Sequence, residues 1–266
     1  MTKTSSRNYA YELLDELGIT EPADIDLEAI AEHCGATIVY EKLEGCEARI
    51  IGYGDRAIIT VSSDSISPRQ RFSGGHELGH WVYDKGKNVF NCKEAALTSE
   101  WFEFNPEQRA NRFSADLLLP EFMFIPRAKD MPITFYTVER LTDDFHTSLT
   151  ATAIRLVQFG SFPAMLVWHN KNGLKRFVRG PAVSESLWPK KSLESDTMAI
   201  EVLNESGKKP GPIDVSASAW FDHPEAHRYV IREDTRRITS DLVLTILWWK
   251  DERQLLDLMD EEGEEE

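Results

Sequence analysis

Five consecutive residues, His76-Glu77-Leu78-Gly79-His80, set two imidazoles four positions apart with a carboxylate beside the first. On a helix that spacing puts both rings on one face, one turn apart. A single metal ion can then take both nitrogens, while Glu77 can contact a metal-bound water without ligating the metal. The pattern is the H-E-x-x-H signature of zinc metallopeptidases. Its chemistry is metal-assisted peptide hydrolysis: Zn2+ lowers the pKa of a bound water and polarises the scissile carbonyl, and Glu77 carries the proton to the leaving amine.

Two histidines do not complete such a site. A catalytic zinc takes three protein ligands and keeps a fourth position open. The downstream carboxylates are Glu94, Glu100, Glu103, Glu107 and Asp116. Glu107 is favoured, because Asn105-Pro106-Glu107 reads as the N-cap and first two positions of a helix, which fixes its backbone. Asn111 lies four residues on, on the same face, where its amide oxygen can accept the Nδ1–H of a zinc-bound histidine. The pair is similar to the Glu-x-x-x-Asp arrangement of thermolysin-like enzymes. An acidic residue in a first helical turn also suits the helix dipole. For the tetrahedral oxyanion, Tyr83, Tyr136, His146 and Arg69 are conceivable donors, and the sequence does not choose among them. His223-Pro224-Glu225-Ala226-His227 repeats the histidine spacing, but Pro224 sits where the catalytic glutamate would be. A solvated turn is the better reading there.

The elements that must hold these residues are alternating short helices and strands. Tyr9 to Leu17 and Leu27 to His33 read as helices, and Thr37–Tyr40, Ala48–Ile51 and Ala57–Val61 as strands. Ser67-Pro68 opens the helix that carries the two histidines to about Tyr83. The Glu107 helix ends at Pro120. Val138 to Phe145 and Thr150 to Phe159 form a helical pair. It could pass for a DNA-reading motif, but Glu139, Asp143 and Asp144 outnumber Arg140 and Arg155 and it is not basic. Beyond Gly160 the texture becomes β-rich: a hairpin around Asn170-Lys171-Asn172-Gly173, then strands at Arg228–Arg232 and Thr239–Trp249. The last is apolar enough to be central and covered on both faces. Residues 181–226 defy ordering by pattern, Glu252 to Met259 suggests a short helix, and residues 259–266 form an acidic tail expected to be disordered.

Composition narrows the classes. The 266 residues are 41% hydrophobic and 28% charged, enough for a buried core. Thirty basic against forty-five acidic residues give a net charge of −15, which argues against nucleic-acid or polybasic membrane-surface binding. The N-terminus has no apolar signal region, no stretch reaches membrane-spanning length, and Cys34, Cys46 and Cys92 suit reduced thiols. A cytoplasmic protein is expected.

Two blocks resemble one family. Arg69-Gln70-Arg71-Phe72-Ser73-Gly74-Gly75-His76-Glu77-Leu78-Gly79-His80 is similar to the R-x-R-F-x-x-A-H-E-L-G-H block of the ImmA/IrrE-type metallopeptidases. Residues 107–120 are similar to that family's E-x-x-A-N-x-F-A-x-x-L-L-M-P block. The likeness covers about residues 8–160. Gly74-Gly75 departs from a bulkier residue and Ala, a change that costs roughly 1 kcal/mol per glycine in helix stability but lets another segment approach closely. Leu119 replaces a common Met. The resemblance implies an α+β fold: a zincin-like metallopeptidase domain with helical pair over residues 1–160, then a β-rich sensor or docking domain over 161–258. It implies Zn2+ held by His76, His80 and Glu107, with Glu77 catalytic and Asn111 behind a histidine. The substrate would be a helix-turn-helix transcriptional repressor. The alternative is a non-catalytic zinc-containing partner in a toxin–antitoxin-like or regulatory pair.

Overall fold

A computed structural model describes residues 8–84, 105–204, 211–251 and 253–255. Its contacts divide the chain into two compact units, residues 1–124 with 142–148, and residues 125–141 with 149–266.

In the first unit, helices α1 (Tyr9–Glu16) and α2 (Leu27–His33) start at side-chain caps. Asn8 accepts from the Tyr11 amide and Asp26 from the Ala29 amide. Their apolar positions, Leu13 and Leu14, then Leu27 and Ile30, are buried. Strands β1 (Ala36–Glu41), β2 (Ala48–Tyr53) and β3 (Arg56–Ser62) form a mixed sheet of order β1-β3-β2, parallel on one side of β3 and antiparallel on the other. Helix α3 (Ser67–Asp84) lies on this sheet. Ser67 is already helical, so the start lies one residue earlier than a Ser cap would place it. The indole N–H of Trp81 donates to the Cys34 carbonyl at 2.9 Å, and its ring fills the space that a side chain at Gly52 would need. Helix α4 (Pro106–Leu118) begins as the Asn-Pro-Glu signal anticipates, with Asn105 accepting from the Glu107 amide at 3.0 Å.

Pro120 does end α4, but another helix starts at once: α5 (Glu121–Ala128), with Pro126 inside it. Proline near its C-terminal end hid that helix from the pattern. The helical pair is α6 (Phe135–Phe145) and α7 (Leu149–Phe159). Residues 135–141 of α6 and all of α7 group with the second unit.

The second unit is built on a five-stranded sheet. Its strands β4 (Ala164–Asn170) and β5 (Gly173–Arg179) form the anticipated hairpin. Asn172 donates its amide to the Asn170 side chain, and Gly173 takes the left-handed φ of +104°. Helix α8 (Met198–Asn204) and strands β6 (Ile213–Ser216), β7 (Val230–Arg237) and β8 (Leu242–Trp248) complete it, all pairs antiparallel, in the order β5-β4-β8-β7-β6. The apolar β8 is central, as its composition anticipates. β7 is longer and shifted from the expected Arg228–Arg232, because Glu233, Asp234 and Thr235 are buried in it despite their polarity. Glu233 and Asp234, adjacent on the strand, point to opposite faces of the sheet. Glu233 accepts from the Ala199 amide at the start of α8, and Asp234 accepts from the Phe135 amide at the start of α6, each at 2.7 Å. The core of this unit gathers Met165, Val167, Trp220, Phe221, Leu247 and Trp249. The suggested helix at 252–259 falls largely, and the acidic tail wholly, outside the described residues.

Candidate metal centre

Helices α3 and α4 make the most extensive contact between elements of the first unit, and glycine permits it. A Cβ at Gly75 would stand 2.7 Å from the Ser114 hydroxyl, and one at Gly79 would stand 3.1 Å from the Ala110 Cα. Ser114 also donates to the Phe72 carbonyl at 2.8 Å, pinning α4 to α3. The close approach that Gly74-Gly75 suggests is thus made at Gly75 by α4, while Gly74 packs under Leu27, Val61 and Ile38.

That approach brings three potential ligands together. The Nε2 atoms of His76 and His80 are 3.1 Å apart. Glu107 places its two carboxylate oxygens 3.2 Å from His76 Nε2 and 3.3 Å from His80 Nε2. Asn111 Oδ1 lies 2.9 Å from His76 Nδ1. An amide oxygen only accepts, so Nδ1 carries a proton and Nε2 is the atom turned toward Glu107 and His80. Burial pushes the His80 imidazole below its ordinary pKa, and the neighbouring His76 adds to the shift, which favours the neutral ring. Two imidazole nitrogens and a carboxylate facing one point form a donor set that could hold a metal ion.

The rest of the predicted site is arranged around this group. A cleft of about 700 Å³ is bordered by His76, Glu77 and Glu107 together with Cys46, Glu47, Asp64 and Arg69. Glu77 is only 3% exposed. Of the conceivable oxyanion donors, Arg69 borders the cleft, with its Nε 2.9 Å from Glu47. Tyr83 is instead packed among Tyr9, Phe113 and the Arg109 guanidinium. His146 is the left-handed residue between α6 and α7, with φ of 52°, and Tyr136 belongs to the second unit. Asp116 is buried against Asn8 and apart from the triad, and Glu94, Glu100 and Glu103 lie outside the described residues. His223 and His227 spend their Nδ1 atoms on local backbone, accepting from the Glu225 amide and bonding the Pro224 carbonyl, as a turn would.

One pair escaped the sequence reading. Asp84, 6% exposed and four residues beyond His80, holds the Arg109 guanidinium at 2.7 Å. Its negative charge acts on His80, opposing the effect of burial. The signal was available: 76, 80 and 84 continue one helical stripe, and Arg109 follows Glu107 into the same helix.

Residues 31–157 match the profile of the IrrE N-terminal-like domain, a peptidase family. Over that stretch the chain is an ImmA/IrrE-type domain. Its IrrE-type domain thus contains the triad, Glu77 and Asn111 in one matched stretch. Over 89% of this chain and 73% of the other, the fold is similar to that of a Mycobacterium tuberculosis transcriptional regulator, with a TM-score of 0.56 and 14% sequence identity. Among curated protein sequences there is no significant match. No described helix is long and apolar enough to cross a membrane.

Proposed function

We propose that the protein is a cytoplasmic zinc-dependent endopeptidase that cuts a helix-turn-helix transcriptional repressor. The observation that carries the reading is the convergence of His76, His80 and Glu107 beside Glu77 at a cleft wall. A non-catalytic metal site needs no general base and tends to be closed. His76, His80 and Glu107 would hold the ion, and Asn111 would fix the His76 tautomer. The ion, when bound, supplies Lewis acidity that lowers the pKa of a water and polarises a carbonyl. Glu77 takes the proton of the attacking water on its carboxylate and delivers it to the leaving amine nitrogen.

A repressor is favoured by charge. Glu47, Asp64, Glu77 and Glu107 outnumber Arg69 along the cleft, in a chain of net charge −15. DNA-binding proteins carry basic surfaces, and opposite charge steers association. The structural likeness to a transcriptional regulator fits a role in gene control. The test is incubation of the full chain with a candidate repressor, with zinc and with chelator, read by intact mass. Two zinc-dependent fragments summing to the substrate mass, lost in Glu77→Gln, are expected. If Glu77→Gln binds the repressor and retains the phenotype without cleavage, the non-catalytic partner is the correct reading.

A further inference from the structure

A second site stands out in the C-terminal unit, and its starting point is a local reversal of charge. Between residues 171 and 191 six cations, Lys171, Lys175, Arg176, Arg179, Lys190 and Lys191, face one carboxylate, Glu185, in a chain that is otherwise strongly acidic. The fold puts Lys175, Arg176 and Arg179 on the edge strand β5, Lys171 in the turn before it, and Lys190 and Lys191 on the segment that returns beside it. That segment is fixed from three sides. Lys190 donates its amide to the Trp220 carbonyl at 2.7 Å, and the Leu174 amide donates to the Lys191 carbonyl at 2.7 Å. The buried His169 reaches the Lys190 carbonyl through Nε2 at 3.0 Å.

On this strap stands Trp188, 62% exposed although it is the largest kind of apolar side chain. Its ring is held in place nonetheless. The Arg179 guanidinium lies 4.8 Å from its centroid, and the Phe177 ring meets it edge-on at 5.2 Å. Arg179 is itself locked by two bonds to the Leu187 carbonyl, from Nε at 3.1 Å and Nη2 at 3.0 Å. An exposed aromatic immobilised before binding spares a ligand the entropy of ordering it. The indole forms one wall of a cavity of about 780 Å³, with Phe221 and Leu187 also lining it. That volume is in the range of small-molecule sites. Lys190 is engaged by Glu194 at 3.0 Å and Asp222 at 3.6 Å. Lys191, at the same rim, makes no ion pair among the described residues.

We propose that this cavity binds small planar aromatic anions, with the ring against Trp188 and the acidic group on Lys191. Aromatic carboxylates and mononucleotides share that chemistry. The proposal does not depend on the peptidase reading, since no residue of the first unit enters it.

Calorimetric titration of the full chain tests it, with salicylate and adenosine monophosphate as probes and salicylamide and adenosine as their uncharged counterparts. At least one anion is expected to bind saturably below millimolar concentration, its neutral counterpart about tenfold more weakly, a difference of roughly 1.4 kcal/mol. Trp188→Ala should abolish binding of anion and neutral molecule alike. Lys191→Glu should weaken the anion about tenfold and leave the neutral molecule unchanged. Both positions are exposed, and circular dichroism checks folding; should Trp188→Ala fail to fold, Lys191→Glu alone decides. The proposal is overturned by no saturable binding of either anion, by equal binding of the neutral counterparts, or by variants that bind like the parent. An oligothymidylate that outcompetes the mononucleotide with steep salt dependence would overturn it in favour of single-stranded nucleic acid.

Discussion

Glu107 in the first unit and Glu233 in the second are both glutamates with convergent partners, yet their surroundings are opposite in kind. Glu107 is 42% exposed at its side chain and faces two imidazole nitrogens. Glu233 is fully buried and faces donors: the Ala199 amide, the Trp220 indole at 3.1 Å and the Thr235 hydroxyl at 3.2 Å. The first carboxylate shares its space with two potential metal-ligand nitrogens and suits a cation. The second is surrounded by N–H and O–H groups and joins a helix, a loop and a strand. The partner atoms, more than the residue type, separate a carboxylate fit for chemistry from one that holds the fold.

The contrast can be broken most sharply at Glu77. Glu77→Gln should lower the hydrolysis rate by about 10²–10⁴-fold while leaving the denaturation midpoint in place; an equal loss of stability would mean that its role is structural. Glu233→Ala should do the reverse. It strands buried donors and should cost about 3 kcal/mol in urea unfolding, with the Zn2+ affinity of the protein unchanged. Next in size, removing zinc with a chelator should lower stability by about 2.7 kcal/mol relative to protein at a hundredfold excess of zinc over its Kd. The shift should vanish in a His76→Ala, His80→Ala double variant. Asn111→Ala should weaken zinc binding about 10–100-fold by chelator competition without altering Glu233-dependent stability.

The smallest effect is a dependence on pH. Burial pushes the Glu233 carboxyl above its usual range more strongly than its hydrogen bonds pull it down. A raised folded pKa stabilises the fold fully below the unfolded value of about 4.3, and that contribution is lost as pH rises through the folded value. Glu233→Gln cannot ionise. The parent should therefore lose stability relative to Glu233→Gln by up to about 1.4 kcal/mol per unit of pKa shift as pH rises from about 4 to 7. The opposite slope would mean that the donors outweigh burial and that the ionised form is the one the fold prefers.

Legibility in the sequence followed the same division. The triad could be read because helical spacing and a capped helix start constrain side chains locally: His76 to His80, then Asn105-Pro106-Glu107 and Asn111. The hairpin and the central β8 were also visible, from turn chemistry and an unbroken apolar run. β7 was half hidden because its polar residues are buried through partners far along the chain, at Phe135 and Ala199. Between 181 and 226 the only regular elements among the described residues are short, α8 and β6 with single 3-10 turns, and backbone bonds such as that of Lys190 to Trp220 leave no pattern in the sequence. Asp84 with Arg109 was missed because two surface-type residues become a pair, with Asp84 buried, only once α3 and α4 meet.

The spacing of the triad rests on the close packing of α3 against α4 at two glycines. A β-carbon at Gly75 would meet the Ser114 hydroxyl and one at Gly79 the Ala110 Cα, so a side chain at either position would press α3 and α4 apart. The nearness of the three donors therefore depends on two residues that contribute no ligand atom. A substitution there would act on the site from behind, by moving one helix away from the other.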